Sequence, residues 1–427
     1  MVDVNSARAW LEHTKSNGMA LGLLNTQRAL RELVLPSRSY ETIHVAGSNG
    51  KGTVLATLSA ALSAENIPHL TFTSPHLVRV EERIRLNGHP VSSERFDEAL
   101  VNVYDMVERT GITLTFFETT FLIAMVVAAK EPIEVLVLET GLGGRLDATR
   151  VAPADVALIT ALSLEHTDVL GSTLAEIAGE KAAIARPGCP ILVRAVEHAA
   201  ARKRITQCAA RAGSIDVDGA VGPALLTWVD IDEDATYFEE ADALAAAVWP
   251  HLKCAEKSPY PKIRGLRWPG RMQNVPSLAR PGMTYLLEGA HNPSGMKASC
   301  AQLRAQERWV EPWALLLGCT PQTDMKSMLK PLVDLCKAHP PLAIVLTEPQ
   351  FGRYPGVPCE DMAAVLREDG LETTRGFSLP EAAVAWLETE AHGAKTVLSI
   401  GSLYLQGNVL AALGADTDEG LAIVAKD

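Results

Sequence analysis

Between His44 and Thr53 the chain reads HVAGSNGKGT, a set of residues that can hold phosphate. The apolar residues Ile43 to Ala46 run into Gly47, Ser48, Asn49, Gly50, Lys51, Gly52 and Thr53, and a helix-compatible VLATLSAALSAE follows. Glycines lack Cβ atoms, so backbone N–H groups can approach phosphate oxygens, and a helix N-terminus adds its positive dipole end. Lys51 supplies a point charge for terminal phosphates, and Thr53 a hydroxyl for Mg²⁺. The spacing G-x-x-G-K-G-T departs from the common loop, in which Ser or Thr directly follows the lysine. A ligand-free turn is the plainer alternative, but the flanking strand and helix are the context the motif requires. The leading reading is therefore an ATP-using enzyme.

Further reactive groups recur where apolar runs end. HLTFTS runs into Ser74-Pro75-His76, and VLVLE ends in Glu139 and continues as TGLGGRLDATR. VALITAL leads into SLEHTDVLG, with Glu165, His166 and Asp168, and Lys181 follows in AGEKAAIARPG. A carboxylate and an imidazole at neighbouring strand ends suit Mg²⁺ beside loop phosphates, although Mg²⁺ prefers oxygen and a histidine ligand is unusual. Singly, each has a bland alternative: Glu139 a strand-end surface acid, His166 a structural histidine, Lys181 a solvated helix lysine. GLGGRLD lacks the G-x-G-x-x-G spacing of a dinucleotide fingerprint.

The elements that must position these groups alternate. Strands are expected at IHVAG, HLTFTS, VLVLE and VALITAL, and helices from Val54, over Ser93–Arg109 and over Phe117–Lys130. Runs apolar on both faces belong to parallel sheets covered by helices. This pattern predicts a mostly parallel, doubly wound α/β domain of the P-loop ATPase type, with ligands at the C-terminal strand ends. A less regular stretch from Gly213 to Arg267 holds an acidic cluster (Asp230, Asp232, Glu233, Asp234, Glu239, Glu240), read as a solvated face, and then KSPYPKIRG. Prolines punctuate Ser258 to Gly282. Beyond them YLLEGA, WALLLG, LAIVLTE and TVLSIGS alternate with helices, predicting a smaller C-terminal α/β domain, Rossmann-like. The expected boundaries are 1–268, a linker at 269–282, and 283–427.

A length of 427 residues suits two domains, and 47% hydrophobic with 21% charged residues is ordinary globular composition. A net charge of −12 argues against a general nucleic-acid or anionic-membrane binder, which needs a basic face. Seven scattered cysteines without a C-x-x-C read as reduced thiols of an intracellular protein. MVDVNSARAWLEHTK has no apolar signal core, and no apolar run approaches about 18 residues. A cytoplasmic protein is expected, with an organelle left open.

Taken in order, these motifs give the chain a nearly full-length resemblance to the folylpolyglutamate synthase/dihydrofolate synthase family, within the Mur-ligase-like ATP-dependent amide ligases. HVAGSNGKGT, TSPHLVRVEERIRLNG, TFFETT, LETGLGGRLDATRV, ITALSLEHTDVLG, EIAGEKAAIARPG, WPGR, LLEGAHNP and GSLYLQGNV carry it. The resemblance implies that ATP phosphorylates a substrate carboxylate and that the amine of glutamate then displaces phosphate. It implies phosphate contacts from Gly47 to Thr53, and two Mg²⁺ ions held by Thr53, Ser74, Glu139 and His166. Lys181 matches a lysine that is carbamylated in many relatives. Arg271, in WPGR, matches an arginine that reaches ATP phosphates, and Glu288, His291 and Asn292, in EGAHNP, a nucleotide-contacting stretch. Arg83, Phe117 and Asp147 fall in regions that line a pterin pocket in relatives. The catalytic set so implied is Lys51, His166, Lys181 and Arg271. The partners implied are small molecules alone (a pteroate or folate acceptor, L-glutamate and ATP), bound by a monomer.

The chain departs from the family pattern in places. Glu288 stands where Asp is usual, and Glu165 replaces Asp before His166. Glu81 and Glu82 follow SPHLVRV where relatives often carry aromatic and amide residues, which marks Glu81 with Phe117 as a place where acceptor specificity could differ. LLGCTPQTDMK lacks an Asp-Lys pair before Asp324. A specialised amide ligase of the same fold, acting on another acid or amino acid, is the second reading. A nucleotide-dependent dehydrogenase or a plain NTPase is the third.

Overall fold

The computed structural model describes residues 3–18, 22–254, 258–306, 311–352 and 354–425. The chain forms two compact units: Met1–Pro75 with Glu81–Leu266 and Ala425–Asp427, and His76–Val80 with Arg267–Val424.

The first unit holds β1 (Glu41–Ala46), β2 (His69–Phe72), β3 (Ile84–Leu86), β4 (His89–Pro90), β5 (Val135–Glu139), β6 (Val156–Ile159), β7 (Pro190–Arg194) and β8 (Leu225–Val229). They make one sheet in the order β4-β3-β2-β5-β1-β6-β7-β8. The six strands from β2 to β8 in that order run parallel, and β3 and β4 form an antiparallel edge. Helices Lys51–Ala64 and Tyr237–Val248 pack with Ile43, Val45, Val137 and Leu158. Helices Leu174–Ala182 and Ala199–Ala210 pack with Ala46, Ala157, Ile159 and Ile191. Burial on both faces explains why β1, β5 and β6 read as unbroken apolar runs. After β1 the chain moves toward one edge of the sheet, and after β6 toward the other, so the connections diverge beside β1. Open α/β sheets bind ligands at such a point.

The second unit holds β9 (Gln273–Pro276), β10 (Thr284–Glu288), β11 (Trp313–Leu317), β12 (Ile344–Thr347), β13 (Arg375–Phe377) and β14 (Thr396–Ile400). Their order is β13-β12-β11-β14-β10-β9, parallel except for β9.

Three details differ from the sequence reading. Residues 269–282 are not a linker: β9 lies within them and pairs antiparallel with β10 from Thr284↔Pro276 to Leu287↔Gln273. Proline ends that strand at an edge, where a missing N–H is tolerated. Residues 76–80 belong to the second unit, where Gly407 lets the Leu77 backbone approach so closely that a Cβ would lie 1.9 Å from its carbonyl oxygen. Finally, the helix expected from Val54 starts at Lys51, because Gly50 adopts a left-handed φ of 85° at its N-cap. The acidic cluster is solvent-facing apart from Glu240, which pairs with Arg194. Of KSPYPKIRG, Lys257 lies outside the described residues. Among the described residues no disulfide joins any of the seven cysteines. Among the described residues no helix is long and apolar enough to cross a membrane.

Candidate active site

Four neighbouring strands, β2, β5, β1 and β6, end on the same side of the first unit's sheet. Their C-terminal extensions carry Ser74, Glu139, the Gly47–Thr53 loop and Glu165–His166, so strand order gathers groups that lie far apart in sequence. Glu139 is in register with Val45, two residues before Gly47. Its carboxylate is 5% exposed and accepts a 3.0 Å hydrogen bond from Ser74 N.

The phosphate loop is braced against the β6 extension. Ser48 N donates to Ala161 O at 2.8 Å, and Ser163 N donates to Ser48 Oγ at 3.0 Å. Thr160 Oγ1 donates to Asn49 O at 2.6 Å. A Cβ on Gly47 would come within 1.8 Å of Thr160 Oγ1, so only glycine fits there. Lys51 opens the helix Lys51–Ala64, with Thr53 in its first turn. This places the helix's unpaired N–H groups and positive end at the loop.

Two ammonium groups converge on one carbonyl. Lys51 Nζ and Lys181 Nζ each donate to Gly47 O at 2.8 Å, and Lys181 Nζ also donates to Glu165 Oε1 at 2.6 Å. Burial, followed by the charge of Lys51, lowers the Lys181 pKa to about 8, against the pull of Glu165. Burial pushes Glu165 up, but Lys181 and Lys51 outweigh it and hold its carboxyl below the usual range. Glu165 is therefore part of the site, a role its sequence signal, one residue before His166, left undefined. The Gly47 carbonyl, Thr160 and Ser163 escaped the sequence reading because their partners lie more than a hundred residues away, with no local spacing to mark them.

Thr53, Ser74 and Glu139 offer oxygen atoms, as a hard divalent cation requires. His166 is exposed and has a left-handed φ of 44°, capping the short helix Thr167–Leu170. No group of three or more His, Cys, Asp or Glu residues forms a metal cluster among the described residues. Such a donor set suits a cation shared with phosphate oxygens, as in phosphate-loop enzymes.

Of the expected acceptor-pocket residues, the structure brings Phe117 and Asp147 to one loop and stacks Arg83 on Phe116, the neighbour of Phe117. The Phe117 ring lies on Gly141, where a Cβ would be 2.7 Å from Cζ, and 5.7 Å from the Phe72 ring. Asp147 accepts from Gly141 N and Leu142 N at 2.9 Å, from Thr149 N at 3.0 Å and from Thr149 Oγ1. Four donors fill a carboxylate's lone-pair positions. Asp147 therefore organises its own loop, in place of offering a free carboxylate to N–H donors. Burial raises its pKa, against the four hydrogen bonds. Arg83 is buried, and its guanidinium stacks over Phe116 at 5.0 Å. Glu81 does not open a pocket: it is 4% exposed and pairs with Arg8 at 2.7 Å. Glu82 is buried beside Arg85.

In the second unit, Glu288 ends β10 and is 1% exposed. Its carboxylate accepts from Met272 N at 3.1 Å and from Arg271 Nη1 at 3.4 Å. His291 Nδ1 lies 2.8 Å from Gly289 O. Asn292 Oδ1 accepts from Gly295 N at 2.7 Å at the start of the helix Pro293–Gln306. Arg271, Glu288, His291 and Asn292 thus sit together around the C-terminal end of β10.

A family model, "Mur ligase, glutamate ligase domain", matches residues 270–403. The dihydrofolate synthase/folylpolyglutamate synthase of Escherichia coli is 30% identical over 311 residues, covering 70% of this chain and 72% of that protein. A Caenorhabditis elegans relative is 30% identical over 323 residues, and the match covers 69% of this chain and 62% of the relative. The chain superposes on the Yersinia pestis bifunctional folylpolyglutamate synthase/dihydrofolate synthase complexed with AMPPNP and Mn ion. That match has a TM-score of 0.76 and 25% identity, and covers 97% of this chain and 98% of that one. Fold and site define an ATP-dependent ligase built from two α/β units. Within that class, the chain belongs to the folylpolyglutamate synthase/dihydrofolate synthase family.

Proposed function

We propose that the protein joins L-glutamate to the carboxylate of a pteroate or folate acceptor, driven by ATP and a divalent cation. The observation that carries this reading is the cradle of Gly47–Thr53, with Lys51 and the buried Glu139 beside it, in a chain whose 270–403 segment matches a glutamate ligase domain.

A carboxylate is a poor electrophile at pH 7, so an acyl phosphate supplies the leaving group. Lys51 and the loop N–H groups hold the ATP phosphates and neutralise charge that develops as the γ-phosphoryl moves to the acceptor. The glutamate amine then attacks the activated carbonyl, the amide forms and phosphate leaves. Thr53, Ser74 and Glu139, with His166, would hold Mg²⁺, which supplies charge neutralisation at the phosphates. Arg271, His291 and Asn292 carry the second unit's share of nucleotide binding, and Phe117 gives a flat acceptor a ring face. A Lys181 pKa of about 8 leaves roughly a tenth of the amine free at pH 7. Free amine is the form that reacts with CO₂, which supports carbamylation. Because Glu81 is tied to Arg8, the departures near it do not favour a different acceptor.

The test is phosphate release from Mg·ATP with dihydropteroate or tetrahydrofolate, with and without L-glutamate, and product mass. Glutamate-dependent release with a product heavier by one glutamyl residue is expected. Release indifferent to glutamate would sink the reading. For Lys181, activity lost in Lys181→Ala and partly restored by short carboxylic acids is the expected sign of a carbamate. Absence of rescue would leave an ordinary lysine.

A further inference from the structure

The strand that delivers the phosphate loop also carries a buried histidine that phosphate chemistry does not use. His44 is fully buried on β1. Its Nε2 lies 2.8 Å from Thr149 Oγ1, and its Nδ1 has no hydrogen-bond partner. Thr149 Oγ1 is in turn 2.5 Å from Asp147 Oδ1, whose carboxylate holds Gly141 N and Leu142 N.

The direction of the protons follows from this network. Asp147, filled by four donors, acts as an ionised acceptor. Thr149 has one hydroxyl proton, and it goes to Asp147. His44 must then donate from Nε2, which leaves Nδ1 as a bare buried acceptor. The reverse arrangement needs a protonated Asp147 and strands a buried N–H at Nδ1; orphaned buried donors are rarer than under-satisfied acceptors. Burial, with Arg186 and Arg150 nearby, keeps the imidazole neutral. The series His44, Thr149, Asp147, Gly141 N ends beneath the Phe117 ring, which rests on Gly141.

We propose that His44 is a positioning residue for the acceptor pocket: through Thr149 and Asp147 it fixes the 141–142 backbone beneath Phe117. The proposal rests on the reading of Phe117 as an acceptor-pocket residue. It assigns to β1 two separate tasks, phosphate binding from its C-terminal end and acceptor placement from the side chain of His44.

The experiment combines amide exchange at Gly141 and Leu142 with acceptor KM, ATP KM and kcat, using whichever of dihydropteroate and tetrahydrofolate the enzyme turns over. His44→Leu and Thr149→Val should speed exchange at both amides and raise acceptor KM about ten-fold, leaving ATP KM and kcat within about two-fold. His44→Gln and Thr149→Ser, which keep a donor, should restore both readouts. The double variant should be no worse than Thr149→Val alone. The near-isosteric Thr149→Val carries the test should His44→Leu fail to fold. Unchanged exchange, or an equal rise in ATP KM, overturns the proposal, because His44 would then act on the strand as a whole. Phe117→Ala tests the pocket reading separately. A raised acceptor KM there, but not in His44→Leu, overturns the proposal alone. No rise in either overturns the pocket reading and the proposal together.

Discussion

The first unit contains two buried clusters with the same ingredients, one carboxylate and two cations, and they do opposite things. At the phosphate loop, Glu165 faces Lys181 and, at longer range, Lys51, and both lysines share the single oxygen Gly47 O. Elsewhere in the unit, Asp218 accepts from Arg150 Nη1 and Nη2 at 2.9 and 2.5 Å and is ion-paired with Arg186, whose Nε lies 3.1 Å away without a hydrogen bond. The arginines also donate to Ala183 O, Ile184 O, Arg150 O and Ala152 O. Planar guanidinium groups in a fork, held by a carboxylate and backbone carbonyls, make a permanent brace. Compact ammonium groups on flexible stems, sharing one acceptor, can be drawn to an arriving phosphate. Burial lowers Lys181 to about 8 and Arg186 to about 9, so perturbation alone does not tell site from scaffold; donor geometry does.

The largest effect that would break this contrast is at Lys51. Lys51→Ala should reduce glutamate-dependent phosphate release by about 10³-fold or more while changing unfolding free energy by less than about 1 kcal/mol. A stability loss without an activity loss would turn the phosphate-loop cluster into scaffold. Asp218→Asn should do the reverse. Leaving two buried arginines without their anion should cost about 3–5 kcal/mol in denaturant unfolding, with kcat per folded molecule unchanged. Altered kcat with intact stability would make the brace part of the site.

A third buried group sharpens the point without either cluster. His69 donates from Nδ1 to Ile67 O and accepts at Nε2 from Ser59, and burial lowers its pKa to about 4. The unfolded chain therefore binds the proton first as pH falls. Stability contributed by neutral His69 is full above about pH 6.5 and lost progressively toward about pH 4, amounting to up to about 3 kcal/mol. His69→Asn should flatten that part of a pH–stability curve measured by urea unfolding. An unchanged slope would show that His69 titrates normally. The smallest effect is expected in the second unit, where one carboxylate faces one arginine. Glu288→Gln should raise ATP KM by about three- to ten-fold, through a loosened Arg271, with kcat nearly unchanged. A kcat loss with constant KM would place Glu288 at the reacting groups.

What could be read from the linear chain was local. Gly47, Gly50 and Lys51 declare a strand-to-helix phosphate turn because backbone approach and φ are set within a few residues. VLVLE and VALITAL declare buried parallel strands because both faces must be apolar. Glu288 was visible as a departure but not as the partner of Arg271: Pro269-Gly270 declares a turn, but not which distant carboxylate that turn sets Arg271 and Met272 beside. The proline-rich 269–282 stretch looked like a linker because prolines suit edge strands and loops alike, and only pairing with β10 separates the two.

In the sequence itself, residue types at short spacing carried the reading of a phosphate loop at the end of the first strand, and the ordered motifs along nearly the whole chain carried its place among ATP-dependent ligases. Tertiary structure decided which groups surround that loop. Lys181 meets Gly47 across 134 residues, and His44 meets Thr149 across 105, because strand order sets which chain segments become neighbours. Spacing along the chain carries no record of that order. The free energy that selects it comes from apolar faces packed on both sides of the sheet, far from the polar groups they bring together.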